Sequence, residues 1–320
     1  MFKRTLLRIC LPALVVGVLG ALAIHAQAPE GKDVSWAFPV ADKVQPPVDA
    51  KKLHQLPGST LSLTAPQIND LLNPPDWFPS EHAAPPNIVI HGVAPNALAC
   101  GSCHLMNGQG HPESAGLAGL PANYIIRQME YFKNSTRKDP ARMNAIAKQV
   151  SDEDVRAAAE YFAQLKPIVW TKVVEADMVP KSRVLGSRMR MPAVDGGMEP
   201  LGKRIITMPN DAEKIEERDP HTGFTAYAPK GSLKKGEALV KTGGKGKTIQ
   251  CAICHGADLH GIGDVPGIAG MHPIYVTRML YAFKNGNANG GLDQLMKKVV
   301  EKLDDDDILN VAAYVASAPR

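Results

Sequence analysis

A repeated five-residue motif constrains this chain more than any other feature. The run Cys100–His104 recurs 151 residues later as Cys251–His255, and in both runs two cysteines are separated by two residues and followed directly by histidine. The similarity continues past the motif, since Gly-Leu-Ala-Gly at 116–119 meets Gly-Ile-Ala-Gly at 267–270. A self-similar unit of this length indicates two copies of one domain.

The two copies also agree along two predicted helices. At the same offset the matching pairs are Tyr124/Tyr275, Arg127/Arg278, Phe132/Phe283, Lys133/Lys284 and Asn134/Asn285. A two-residue insertion then shifts the offset to 153, where Val155, Ala159 and Tyr161 meet Ile308, Ala312 and Tyr314. Each copy is therefore predicted to hold a helix at about 122–134 or 274–285. A closing helix is predicted at about 152–165 or 305–317, with Ser151 or Asp304 as its N-cap.

The C-x-x-C-H spacing is typical of covalent haem c attachment. Two intervening residues let both thiols reach neighbouring porphyrin vinyl groups, and the histidine that follows is placed to bind the iron. A thioredoxin-like pair would need a βαβ context, and a zinc site would need four ligands close together. We therefore predict two covalently bound haem c groups, with thioether bonds to Cys100, Cys103, Cys251 and Cys254 and with His104 and His255 as iron ligands.

The second axial ligand is expected at equivalent positions of the two copies. Met143 lies eight residues before Ser151, and Met296 lies eight residues before Asp304. A thioether ligand raises the reduction potential, and it fills the sixth coordination position so that no substrate can bind there. Position in the repeat thus selects Met143 and Met296. The other methionines near the motifs find no partner in the other copy and are predicted to pack: Met106, Met129, Met271 and Met279.

The N-terminus has the pattern of a targeting segment. Three cations within the first eight residues precede an uncharged apolar run from Leu11 to Ile24, and Ala26 follows as a small residue. The run is shorter than the roughly 20 residues of a membrane span, so cleavage near Ala26 is favoured over an uncleaved anchor. Residues 1–26 are thus predicted to be a signal peptide or an anchor. An anchor would associate the protein with the membrane, whereas a cleaved signal peptide would not. Either reading predicts a periplasmic protein.

Charge and composition exclude some classes of function. The formal net charge is +4, and three of the positive charges lie in the leader, which leaves +1 for the rest of the chain. A nearly neutral chain has no electrostatic basis for binding nucleic acid. Aromatic residues make up only 5%, whereas the chain contains 28 Gly and 26 Pro. This composition favours small helical domains joined by turn-rich segments.

The remaining segments surround the two copies. Residues 27–94 form a Pro-rich N-terminal extension in which one short helix is predicted, from Ala65 to Leu72. The first copy spans 95–166 and the second spans 230–320. Between them, 167–229 is predicted to be a long and mostly irregular connector with possible strands at Ile168–Val174 and Lys203–Thr207.

These residues resemble the class I cytochromes c, and the tandem arrangement is similar to that of the dihaem, c4-like group. The resemblance covers roughly 95–166 and 230–318. It implies an all-α fold built from two class I cytochrome c domains, an electron-carrier function, and axial pairs of His104 with Met143 and of His255 with Met296. The chain departs from the family pattern in the Pro-rich insertion at 73–95 and in the long connector, which are expected to cover haem edges or a partner.

The leading functional hypothesis is a periplasmic electron carrier and not an enzyme. Its donor would be a dehydrogenase or a quinol-oxidising complex, its acceptor an oxidase, and a collar of lysines before the second motif would steer acidic partners: Lys230, Lys234, Lys235, Lys241, Lys245 and Lys247. A dihaem peroxidase is the main alternative, and it would need one haem with an openable sixth position. A thiosulfate-dehydrogenase-like enzyme would need a further cysteine as ligand. A structural or metal-binding protein would carry no covalent haem.

Overall fold

The computed structural model describes residues 33–320 apart from Asn96 and Pro140, so the predicted leader at 1–26 lies outside the described residues. None of the helices in this part is long and apolar enough to cross a membrane. The α-helices are α1 Ala65–Ile68, α2 Asn87–Ile90, α3 Gly101–His104, α4 Ala122–Lys133, α5 Met143–Ala147, α6 Asp152–Gln164, α7 Ala212–Glu216, α8 Ser232–Thr242, α9 Ala252–His255, α10 Pro273–Lys284, α11 Asp293–Val300 and α12 Asp305–Ser317. Two short 3₁₀ helices lie at Ser35–Ala37 and Pro79–Glu81.

The strands lie mostly between the two repeats. They are β1 Leu53–His54, β2 Leu63–Thr64, β3 Thr171–Glu175, β4 Met178–Pro180, β5 Ser182–Val184, β6 Arg190–Pro192, β7 Met198–Pro200, β8 Ile206–Pro209, β9 Phe224–Ala228, β10 Gly261–Ile262 and β11 Val265–Pro266. Strands β3, β9 and β8 form a sheet in which β3 is parallel and β8 antiparallel to β9. The other strands form antiparallel pairs: β1 with β2, β4 with β7, β5 with β6, and β10 with β11.

The repeated helices have equivalent bounds in the two copies. Helix α10 begins and ends 151 residues after α4, and α12 begins and ends 153 residues after α6. The predicted N-caps are present, since the Ser151 hydroxyl accepts a hydrogen bond from the backbone N–H of Asp154, and the Asp304 carboxylate accepts one from Asp307. The predictions of these four helices and of their caps are confirmed.

The helix that opens each repeat differs between the copies. In the second repeat, α8 crosses α12 so closely that a Cβ on Gly236 would lie 2.0 Å from the carbonyl oxygen of Asn310. In the first repeat the short helix α2 packs against α6 instead. The extension therefore contains more structure than the single helix predicted at 65–72. That helix, α1, ends early at Ile68, because the side chain of Asp70 accepts backbone hydrogen bonds in a turn.

The connector is more regular than predicted, and the prediction of an all-α fold is not confirmed for the whole chain. Alternate residues of β9 are buried, at Phe224, Ala226 and Ala228, which is the period-2 pattern of a strand. The two predicted strands exist with shifted bounds, as β3 and β8. Strand β3 lies against α12, so this sheet covers one side of the second repeat.

Equivalent segments of the two repeats pair with each other. Arg137 forms an antiparallel bridge with Ala288, the residue at the same position of the second repeat. The backbone N–H of Lys138 donates to the Asn287 carbonyl at 2.7 Å, and that of Asn289 donates to the Thr136 carbonyl at 2.9 Å. Swapping the two repeats turns each of these hydrogen bonds into the other. The interface therefore has local two-fold pseudosymmetry.

Candidate haem sites

Each C-x-x-C-H motif folds into one helical turn. The backbone N–H of His104 donates to the Cys100 carbonyl at 3.0 Å, and His255 bonds to Cys251 in the same way at 2.9 Å. Residues three apart in such a turn project from the same face, so the turn brings the two thiols of each motif together. None of the four predicted attachment cysteines forms a disulfide in the described part of the chain.

The histidines have the same hydrogen bond in both repeats. Nδ1 of His104 lies 2.8 Å from the carbonyl oxygen of Ala115, and Nδ1 of His255 lies 2.8 Å from that of Pro266, the equivalent residue. Because a carbonyl only accepts, Nδ1 carries the proton and Nε2 keeps its lone pair. Burial lowers the pKa of both imidazoles, which keeps them neutral at neutral pH. A neutral imidazole with a fixed tautomer is the form that binds iron.

Burial disfavours the thiolate form of the first cysteine in each motif. Burial raises the pKa of Cys100 to about 12 and that of Cys251 to about 11. Reactive cysteines have lowered pKa values instead, because a cation or a helix N-terminus stabilises their thiolate. The donor set thus fits covalent attachment of a porphyrin better than a redox-active dithiol.

In the first repeat the motif faces a cavity of about 1690 Å³. The thiols of Cys100 and Cys103, the imidazole of His104 and the side chain of Met143 all line it. Its walls are largely apolar and include Phe162, whose ring lies edge-on to His104 with centroids 6.3 Å apart. Ligand cavities usually occupy about 300–1,000 Å³, so this space is large enough for a haem.

Met143 is not the only methionine in this cavity. Met129, Met189 and Met279 also line it, so the cavity alone does not select the ligand. Repeat position does, because Met129 and Met279 have no methionine at the equivalent position of the other copy, and Met189 lies in the connector. The predicted packing role is confirmed for Met106 and Met271, which are buried in the core.

The second repeat is more open around its motif. Met296 is half-buried on α11 and packs against the main core. The hydroxyl of Thr248 donates to the Val299 carbonyl at 2.6 Å, which ties the segment before Cys251 to the helix of Met296. Cys254 is exposed, and the side chain of Ile253 is 64% exposed.

Residues outside the two repeats also line the first cavity. The sequence did not predict which residues these are. The extension contributes Gln45–Asp49 and His54, and the connector contributes Ile215 and Glu217. These two segments are joined, since Nδ1 of His54 lies 2.8 Å from Oε1 of Glu217. The connector and the extension before residue 73 line this cavity, whereas the 73–95 insertion contributes no lining residue, so that these insertions cover a haem edge stays a prediction. The one signal for this role in the sequence is that these segments have no counterpart in the other repeat.

Three other histidines near the motifs form hydrogen bonds within the protein. His91 bonds to Asn73, His111 accepts from the Glu113 backbone, and His260 bonds to the Pro319 carbonyl. His272 differs in being buried, with its Nδ1 2.8 Å from the hydroxyl of Thr171. Within the described part of the chain, no group of three or more His, Cys, Asp or Glu residues is placed to hold a metal ion.

The lysine collar is partly neutralised by the chain itself. Lys230 pairs with Asp177, Lys241 pairs with Glu237 at 2.8 Å, and Lys247 contacts both Asp304 and Asp307. Lys234, Lys235 and Lys245 are exposed. The positive field available to a partner is therefore smaller than the six lysines suggest.

Comparisons with known proteins match both repeats. The family model described as Cytochrome c matches residues 233–319, and that described as Cytochrome C oxidase, cbb3-type, subunit III matches 93–162. Cytochrome c-554(548) of Halomonas halodenitrificans is 33% identical over 75 residues, which cover 23% of this chain and 90% of that protein.

Longer alignments cover more than two thirds of this chain. A thiosulfate dehydrogenase electron acceptor from Thiomonas intermedia is 27% identical over 229 residues, 70% of this chain and 81% of that protein. The structure of reduced recombinant cytochrome c4 from Pseudomonas stutzeri aligns at 22% identity and a TM-score of 0.47, covering 69% of this chain and 93% of that one. With the repeated motif and its family matches, the chain belongs to the cytochrome c family, as a tandem class I cytochrome c similar to the dihaem c4 group.

Proposed function

We propose that this protein carries single electrons between redox proteins through two covalently bound haem c groups, one in each repeat. His104 with Met143 would hold the iron of the first site, and His255 with Met296 would hold that of the second. The observation that carries the proposal is the repeated imidazole orientation, in which both Nδ1 protons are held by equivalent carbonyl oxygens. A haem c group supplies the one-electron chemistry when bound.

The chain's own residues fix the surroundings of that chemistry. The carbonyls of Ala115 and Pro266 hold the imidazole tautomer and make the nitrogen opposite a better electron donor. Buried apolar residues around the first site, such as Phe162 and Ile146, exclude water. A methionine at the sixth position leaves no site for peroxide or another substrate, which favours a carrier over a peroxidase.

Electron exchange between the repeats is supported by their interface. The Tyr275 and Met279 side chains of α10 line the first repeat's cavity, although they belong to the second repeat. The paired backbone bonds at Lys138 and Asn289 hold the two halves together beside this cavity. The arrangement favours direct transfer between two adjacent sites over two independent carriers joined by a linker.

The partners are proposed to be redox proteins of the periplasm. The donor would be a dehydrogenase or a quinol-oxidising complex and the acceptor an oxidase. Relatives whose names describe them as electron acceptors of thiosulfate dehydrogenase support a dehydrogenase as donor. Export through residues 1–26 would place the chain in the periplasm, where haem c is attached.

Spectroscopy of the purified protein tests the proposal. We expect a mass increase of two haems and, in the oxidised protein, methionine-to-iron charge-transfer bands from both sites. Salt titration of the reaction with the donor tests the steering role of the lysines. Absence of covalent haem, or a high-spin haem in the oxidised protein, would contradict the carrier function.

A further inference from the structure

We infer that the two sites are electrostatically unequal, and that Arg137 gives the haem of the first repeat the higher reduction potential. The inference rests on the proposed function, and it sets the order of the two potentials. An electron delivered to either repeat would then come to rest in the first. The two sites differ at one equivalent position of the repeat, which is Arg137 in the first copy and Ala288 in the second.

Arg137 is a buried cation beside the first site. Its side chain lines the cavity that also holds His104 and Met143, and the residue is only 8% exposed. Its guanidinium donates to Oε1 of Gln128 at 2.5 Å and to the Tyr275 hydroxyl at 3.1 Å. It also lies 4.5 Å from the centroid of the Phe132 ring.

The side chains that contact this guanidinium are neutral: Gln128, Tyr275, Met279 and Phe132. Among the described residues, no carboxylate lies within 4.0 Å of it, which is the distance of an ion pair. The charge of the nearby Asp293 carboxyl also acts on the guanidinium, and burial raises the pKa of this carboxyl. Burying a cation that forms no ion pair is costly. A haem in the cavity would offset that cost, because its two propionates carry negative charge.

The second repeat offers no matching charge at this position. Ala288 is buried at 3% exposure and presents a methyl group. A positive charge near the iron favours the reduced state, which carries one positive charge fewer than the oxidised state. The difference between Arg137 and Ala288 therefore raises the potential of the first site relative to the second.

Solvent exposure acts in the same direction. The first site is enclosed by the extension and the connector, whereas Ile253 and Cys254 of the second motif are exposed. A second cation, Arg218, reaches the first motif from the connector and donates to the Ser102 carbonyl at 2.5 Å. Water stabilises the more highly charged oxidised state, so the covered site is the easier one to reduce.

The pseudosymmetric contacts show the same asymmetry. Arg278 of the second repeat pairs with Glu113 of the first, with side chains only 16% and 9% exposed. The equivalent pair is Arg127 with Asp264, where Arg127 donates to the backbone carbonyl of Asp264 in an exposed contact. One half of the interface is thus buried on the side of the first site, and the other half faces solvent.

The order of the potentials can be measured in a variant whose second site has lost its methionine ligand. Met296→His removes the methionine charge-transfer band of the second site and leaves the band of the first. A redox titration of that remaining band should coincide with the upper of the two steps seen in the unmodified protein. Coincidence with the lower step would overturn the inference. An undiminished band would instead show that the proposed ligand of the second site is wrong, so the two failures are distinguishable.

The role of Arg137 is tested in the Met296→His protein. Arg137→Gln should shift the potential of the first site downward, whereas Arg137→Lys, which keeps the charge, should hold it close to the starting value. Arg127→Gln, on helix α4 before Arg137, serves as the control and should leave the potential of the first site unchanged, because Arg127 does not line the cavity. An unchanged potential in Arg137→Gln would contradict the role of this residue. If that variant loses haem, the potential of Arg137→Lys and the order of the two steps still decide.

Discussion

The ring of Tyr131 lies against Gly290, so close that a Cβ on this glycine would come within 2.2 Å of the ring's Cε2 atom. The Tyr131 hydroxyl also accepts a hydrogen bond from the backbone N–H of Leu292 at 3.2 Å. Tyr131 belongs to α4 of the first repeat, and Gly290 precedes α11, the helix of Met296. The relative position of the two sites therefore depends on a contact that only glycine allows.

Gly290→Ala should destabilise the protein, because the added methyl group overlaps the Tyr131 ring. Overpacking of this kind costs about 1–3 kcal/mol of unfolding free energy, measurable by denaturant titration. Gly291→Ala is the matched control, since a Cβ there would meet only the Tyr131 hydroxyl at 3.5 Å. Equal stability of the two variants would show that the ring moves aside without cost.

Replacing a proposed iron ligand should change one potential only. Met143→His should lower the potential of the first site, because imidazole favours the oxidised iron more than a thioether does. Redox titration followed by visible absorbance checks this. Met129→Leu is the control, since Met129 lines the same cavity but has no methionine counterpart in the second repeat. A spectrum and potential altered by Met129→Leu and not by Met143→His would reassign the ligand.

The cap of the last helix should give a pH-dependent contribution to stability. A hydrogen bond from Lys247 lowers the pKa of Asp304 from 3.8 to about 2. A carboxyl with a lowered pKa stabilises the fold above its ordinary pKa, and this contribution disappears as the pH falls towards about 2. Lys247→Gln should therefore be less stable than the unmodified protein at pH 5, by an amount that shrinks below pH 4.

The size of this effect is limited by solvent, because the Asp304 side chain is 60% exposed. Pairs of this kind contribute about 0.2–1 kcal/mol. Lys245→Gln provides the comparison, since Lys245 is an exposed lysine of the same loop. A stability difference for Lys247→Gln that persists unchanged down to about pH 2 would mean that Lys247 acts through packing and not through the charge of Asp304.

The sequence predicted the repeated helices because their signals are local. Ser151 and Asp304 are good N-caps, and the apolar residues that follow recur at helical spacing. In the connector sheet, strands β3 and β8 were predicted with other bounds, but β9 and the pairing were not, because the paired strands are distant in the chain. Thr171 of β3 pairs with Phe224 of β9, and no local pattern in a short strand identifies such a partner.

The candidate sites were predicted in part. The motif and the repeat indicated His104, His255 and the two methionines, whose roles remain predictions. The carbonyls of Ala115 and Pro266 could not be found, because a backbone acceptor leaves no signal in the residue type. Arg137 was missed for a different reason. Similarity between the repeats points only to residues that both copies have, whereas the second copy has no arginine at the position of Arg137.

Near-infrared magnetic circular dichroism of the fully oxidised protein tests most directly whether each repeat holds a haem between histidine and methionine. We expect methionine-to-iron charge-transfer intensity from two low-spin haems, and the loss of half of it in either Met143→His or Met296→His. A high-spin haem, or full intensity retained in either variant, would contradict the assignment of the two sites.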